Sequence, residues 1–272
     1  MADRFHRKKS NDTLRKVRMS FRSTLLPLLL LSVTACGRGE PAMDREADRL
    51  MRDMSTLLEN TPRFSFAASE TRDVVDLDGN TSQQEFDHRT YVERPNRVRR
   101  EVTLGDDTAL LIYNAGSLGV HTSRDSFYAL TDIPTTIDPA LDYLDERLDV
   151  RAPLADLLYT SPYDAYVDDN TAGQYLGEET VEGNPCHHLA FQHPAIDFEI
   201  WLMDGQQPLP CKLLLSYKLE EGAPKSVVTF RDWDLSPQFE PNAFAYAPPD
   251  GYVRIPFLGL RTSTPAGTPP EN

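Results

Sequence analysis

From Phe64 onward the apolar residues recur at every second position in short runs, and this period of two is what most constrains the fold. Runs at 64–68, 85–92, 97–104, 109–113, 118–122 and 126–130 are divided by turn signals such as Asp78-Gly79 and Gly105-Asp106-Asp107. After a break they resume at 174–176, 186–192, 197–203, 212–217 and 226–233. Residues two apart share one face of a strand, so each run has an apolar face to bury. Short strands in direct succession predict a meandering antiparallel sheet. A parallel sheet would need a helix between each pair of strands.

Two stretches follow the helical period instead. Over 42–60, Met43, Ala47, Leu50, Met51, Met54, Leu57 and Leu58 form one apolar stripe that ends at Asn60-Thr61-Pro62. In the break between the two sets of strands, Asp138-Pro139 reads as a capping side chain followed by proline at the first helical position. Leu141, Leu144 and Leu148 line one face of that helix, Pro153 opens a second, and Ser161-Pro162 leads into a third turn near Tyr163 and Tyr166. No internal repeat and no linker divides residues 62–252. The predicted fold class is therefore mainly β with helices (α+β), a single domain over 43–256, with a tail over 257–272 expected to be disordered.

The start of the chain is of a different kind. Residues 1–35 hold eight basic and two acidic residues, a net +6; the whole chain is −14, so the remainder carries −20. A cationic start, the apolar run 25–31 and small residues after it form a secretory signal peptide, with Met19 an alternative true start. The run falls well short of the ~18 apolar residues that a permanent transmembrane helix needs. Val33-Thr34-Ala35-Cys36 then resembles a bacterial lipobox, which makes Cys36 the expected lipidation site and 36–42 a linker. Two or three acyl chains, at ~0.8 kcal/mol per buried methylene, give lasting attachment where one chain alone is marginal. Gly37 rather than Asp after the cysteine favours, by resemblance to lipoprotein sorting, the outer membrane. The acidic remainder excludes a nucleic-acid partner, since phosphate neutralisation needs clustered Lys and Arg.

Cys186 and Cys211 remain. Export favours a disulfide. Register arithmetic places the two on either side of one intervening strand, ~9–10 Å apart, whereas a bond needs Cα atoms within ~7 Å. Twist or a bulge would close the gap, so bonded and free thiols both stay open.

The phrase Tyr91-Val92-Glu93-Arg94-Pro95-Asn96-Arg97-Val98-Arg99 is similar to one in the LolA- and LolB-like periplasmic lipoprotein-carrier superfamily. Tyr113-Asn114, Thr136-Ile137-Asp138 with Leu141-Asp142-Tyr143-Leu144, the stretch 153–159, the stretch 186–191, Ile200-Trp201 and Pro208-Leu209-Pro210 resemble a narrower group, domain-of-unknown-function family 2092 of predicted periplasmic proteins. Cys211 departs from it, where a basic residue is expected. The resemblance covers about residues 45–250. It implies a curved antiparallel sheet forming an incomplete β-barrel, with an N-terminal helix and a central helical lid over an apolar cavity, and it brings no catalytic residues.

No phosphate loop, dinucleotide fingerprint, nucleophile elbow or zinc-protease helix is present. Neither an enzymatic activity, a cofactor nor a metal is expected. His187 and His188 point to opposite faces of a strand, so His187, His188, His193 and Asp197 do not converge as metal ligands. Arg94, Arg97, Arg99 and Arg100 are the one basic concentration of the acidic remainder, with Arg100 sharing a face with Val98; they would serve as an anchor for anionic headgroups or a neighbouring protein's acid groups, but salt bridges are their ordinary use. Phe64, Phe66, Tyr113, Phe127, Leu141, Leu144, Phe191 and Trp201 are the candidate cavity lining. The expected function is that of a membrane-anchored envelope protein binding a lipid or an acylated protein. The alternative is an interaction module with a filled core.

Overall fold

The computed structural model describes residues 42–75, 79–148 and 154–257; the signal segment, Cys36, Asp78, Pro153 and the tail beyond 257 lie outside them. The first helix, α1 (Arg45–Glu59), begins where Asp44 accepts the amides of Glu46 at 2.8 Å and Ala47 at 3.2 Å. Its outer face is held by the pairs Arg49–Asp53 and Arg52–Asp48. Its inner stripe, Ala47, Leu50, Met51, Met54 and Leu58, is buried.

Six strands follow as a meander: β1 (Arg63–Val75), β2 (Thr81–Glu93), β3 (Arg97–Leu104), β4 (Asp107–Asn114), β5 (Ser117–Thr122) and β6 (Phe127–Asp132). A helical segment comes next, with α2 (Ile137–Leu148), a 3-10 turn (Ala155–Leu158) and α3 (Pro162–Tyr166). A second meander runs through β7 (Ala172–Val181), β8 (Asn184–Gln192), β9 (Ile196–Met203), β10 (Pro210–Tyr217) and β11 (Lys225–Asp234). β11 pairs with β1 and fuses the two meanders, while β12 (Val253–Arg254) adds in parallel to β6. The sheet has twelve strands in the order β12-β6-β5-β4-β3-β2-β1-β11-β10-β9-β8-β7 and does not close. An incomplete barrel with an N-terminal helix and a central helical segment is thus what the chain forms.

Two local expectations are corrected, and one segment carries a feature the sequence did not signal. Asp138 lies inside the first turn of α2 and does not cap it; its carboxylate instead accepts the Thr160 amide at 2.9 Å and so ties the helical segment together. The second helix is only a 3-10 turn, entered through Leu154 in a left-handed conformation. And the segment 235–257, which shows no period, straps the convex face of the sheet. There Phe239 packs on Tyr91, the Tyr246 ring occupies the space a Cβ on Gly119 would need, and Tyr252 meets His121.

Cys186 and Cys211 are bonded, with Cα atoms 6.9 Å apart. The ladder between β9 and β10 shifts between Pro210 and Lys212, so Cys211 is the extra residue of a bulge. Cys186 sits opposite Met203, the last residue of β9, so β8 and β10 approach each other at the end of the strand between them.

Candidate functional site

The ladder registers define rows of side chains across the concave face. One row runs Phe64, Val92, Val98, Tyr113, Leu118 and Thr131; the next runs Phe66, Thr90, Arg100, Leu111, Val120 and Ala129. A third runs Ala68, His88, Val102, Ala109, Thr122 and Phe127. The same face of the other meander carries Leu189, Phe191, Phe198, Ile200, Leu202, Leu213, Leu215 and Val228, every one fully buried.

These two parts of the wall are covered differently. Over β8 to β11, α1 and α3 complete one continuous apolar core that includes Met51, Met54, Leu58 and Tyr166. Over β3 to β6, only the first row is solid. Beyond it Val102, Leu111 and Val120 are half-buried, Ala109 is exposed and Phe127 is 39% exposed. In the helical segment, α2 is buried only at its first turn, at Ile137 and Ala140, while Leu141, Leu144 and Leu148 are half-buried. Its base is pinned: the Ile137 amide donates to Pro95 O at 2.9 Å, and Arg94 donates to the carbonyls of Leu158 and Tyr159.

Arg100 stands in the second row directly opposite Leu111, at the head of the half-covered trough over β3 to β6. Beside it Glu70, with no exposed side chain, accepts from Arg72 through two bonds at 2.8 and 2.9 Å, from Ser226 at 2.6 Å and from His88 Nε2 at 2.8 Å. Burial would raise the Glu70 carboxyl, but its bonds from His88 and Arg72 outweigh that and hold it at about 2. Arg100 Nη2 lies 3.3 Å from His88 Nδ1. A guanidinium only donates, so His88 accepts at Nδ1 and carries its proton on Nε2. Burial, joined by the charge of Arg100, lowers the His88 pKa and keeps the ring neutral. Glu70 is therefore engaged by Arg72. Among the described residues Arg100 forms no ion pair, and its buried Nε has no hydrogen-bond partner. Burial lowers Arg100 to about 10, which leaves it charged at neutral pH.

A second buried polar group sits in the roof. Asp156, in the 3-10 turn, is 6% exposed, its Oδ2 has no hydrogen-bond partner among the described residues, and burial raises its pKa to about 7. The Tyr166 hydroxyl is likewise buried without a partner.

The expected lining therefore divides. Phe64, Phe66, Tyr113 and Phe191 are on the concave face but packed into the core, so they do not border an open cavity. Phe127 is exposed on the half-covered wall, and Leu141 and Leu144 are half-buried on α2 and pack against the core. Trp201 is on the opposite, convex face: it stacks on His188 at 4.0 Å, donates to Glu179 at 2.9 Å and packs on the disulfide. A cavity of about 600 Å³ between α1 and α3 is bordered by Arg45, Asp48, Arg52, Tyr163 and Asp168, and another of about 300 Å³ by Leu130, Arg254, Ile255 and Pro256. Neither has the Leu, Phe and Val lining that the sequence led one to expect. The histidines also separate. His187 faces Asp204 and Tyr175, His188 faces Glu179 and Glu199, and His193 lies 3.5 Å from Asp168. Among the described residues no three His, Cys, Asp or Glu side chains form a metal site.

The family model for a predicted periplasmic protein, DUF2092, matches residues 47–258, which span the whole sheet and all three helices. The chain belongs to that family. Solved structures similar to this DUF2092 chain include an uncharacterized conserved protein from Thermus thermophilus, 8% identical, covering 78% of this chain and 99% of that one, with a TM-score of 0.46. The lipoprotein LppX of Mycobacterium tuberculosis is 13% identical, over 72% of this chain and 100% of that one, at a TM-score of 0.45. A LolA superfamily protein from Nitrosomonas europaea is 10% identical, over 74% and 97%, at a TM-score of 0.32. No curated protein matches the chain.

Sequence reasoning singled out Arg100 among four arginines and set an anchor for anionic groups against ordinary salt bridges, but did not separate it from the other three, although Val98, Arg100 and Val102 alternate on one face. A lone cation in an apolar row was the available signal.

Proposed function

We propose that this DUF2092 protein is a non-catalytic envelope lipoprotein, anchored through acyl chains on Cys36 and facing the periplasm from the outer membrane, whose trough binds an apolar chain. The carrying observation is the half-covered wall, where Leu111, Val120 and Phe127 stay accessible beside a sheet that is otherwise solid. Each methylene laid there contributes about 0.8 kcal/mol. The far end of α2 acts as the gate, because its base is fixed to Pro95 and Arg94 while Leu141 and Leu144 are only half-covered. Solvent extraction of the purified protein followed by mass spectrometry should recover a lipid. Phe127→Glu should abolish its retention. Empty protein, with no uptake of a fluorescent acyl probe, sinks the reading. Radiolabelled palmitate should enter the natural chain and not Cys36→Ser.

A second reading, a scaffold that binds proteins and no small ligand, is supported by the solid interior under α1 and α3. Recovery of one stoichiometric crosslinked partner from cells, together with empty protein, would favour it.

A further inference from the structure

The inner wall of a half-barrel is an expensive place for a guanidinium, and desolvation of a cation there is tolerated only with good partners. Arg72 has such a partner in Glu70, through two parallel bonds. Arg100 does not. Among the described residues its one hydrogen bond is to a neutral imidazole at 3.3 Å, and its Nε has no acceptor. Across β4, β5 and β6 the row continues as Leu111, Val120 and Ala129, with Phe127 on the next row, a span of about 14 Å at three strand spacings. Near Arg100 the one carboxylate of Glu70 faces the two guanidinium groups of Arg72 and Arg100, while Asp107, on the same face at the far end of β4, is paired with Arg124. One end of the trough is thus cationic and short of acceptors, and Leu111, Val120, Ala129 and Phe127 beyond it are apolar.

We propose that Arg100 recognises the acidic head of a single-chain amphiphile, a long-chain carboxylate, whose tail lies across β4 to β6 over Leu111, Val120 and Phe127. The inference rests on the trough reading above and narrows it. A carboxylate supplies two acceptors in the plane that a guanidinium fork presents, and it meets the orphaned donor in a region where water competes poorly.

The test uses the full chain carrying Cys36→Ser and two probes, cis-parinaric acid and its methyl ester, titrated by fluorescence. The acid should bind about tenfold or more tightly than the ester, the value of a charge-assisted hydrogen bond in a poorly solvated site. Arg100→Gln should erase that preference, bringing the affinities for acid and ester together. Arg100→Lys, which keeps the charge but not the fork, should retain part of it. Equal binding of acid and ester by the parent chain, or a preference that survives Arg100→Gln, overturns the assignment. If neither probe binds, the trough itself fails. Should Arg100→Gln not fold, as judged by its melting transition, the acid-to-ester ratio of the parent chain and of Arg100→Lys still decides.

Discussion

The two meanders use one construction and end in different states. From β8 to β11 the concave side chains meet α1 and α3 and disappear from solvent, Leu189, Ile200, Leu213 and Val228 all being fully buried. From β3 to β6 the same alternation leaves Leu111 and Val120 half-covered and Phe127 39% exposed. The cause is the cover. α1 offers a wide stripe of Leu and Met, whereas α2 contributes full burial only at Ile137 and Ala140. A strand pattern creates a surface to be buried; whether it becomes core or binding surface depends on what is laid over it.

The largest effect that tests this contrast is in core truncation. Leu213→Ala in the solid half should cost about 4 kcal/mol, and Leu111→Ala in the trough about 1 kcal/mol, because only the first leaves an enclosed cavity. Urea unfolding of both variants measures the difference, and equal losses would remove the distinction between the halves.

The disulfide belongs to the solid half. Replacing Cys186 and Cys211 together with Ser should lower stability by about 3 kcal/mol, from the 25-residue separation it closes. Trp201 fluorescence should report the loosening, since that ring packs on the bond.

Glu70 lies on β1, the strand through which the halves are fused. Its lowered pKa means that its stabilisation is complete above the ordinary 4.5 and is lost as pH falls toward about 2. The shift corresponds to about 3 kcal/mol at most. Glu70→Gln should therefore weaken the protein at pH 7 by up to that amount and flatten its acid limb in melts taken from pH 5 to 2.

Asp156 has the opposite sign. Its raised pKa keeps the folded form protonated after the unfolded chain ionises near 3.8, so stability declines with rising pH until about 7 and then levels. Asp156→Asn should raise stability at pH 8 by about 2 kcal/mol, part of the ionisation cost, and an unchanged melting temperature there would contradict a buried, partnerless carboxyl.

The smallest effect concerns the outside of the trough. A Cβ on Gly119 would collide with the Tyr246 ring, so Gly119→Ala should displace the strap at a cost of about 1 kcal/mol. Faster proteolysis within 235–257 would show it, with binding in the trough unaffected.

Much of this was legible in the chain. The period of two placed every strand of both meanders except β12, and the Leu and Met stripe placed α1, because both patterns are local consequences of backbone geometry. What alternation cannot tell is which face of a given strand is the inner one. Trp201 was grouped with Phe191 although their strands present them on opposite faces of the sheet, and only the ladder from β8 to β9 resolves that. The disulfide turned on a bulge at Cys211, and the strap turned on aromatic residues that follow no period. Arg100 could be phased with Val98, but its lack of a carboxylate follows from Arg72 having taken Glu70.

By itself, then, the order of residues determined the elements, the family and the existence of a greasy inner wall, since each depends on neighbours a few positions apart. The tertiary structure alone decided where that wall is sealed and where it stays half-covered, and which inner-wall cation is left without an ion pair among the described residues. Those outcomes depend on partners more than a hundred residues distant, such as Ser226 beside Glu70, that no local pattern encodes.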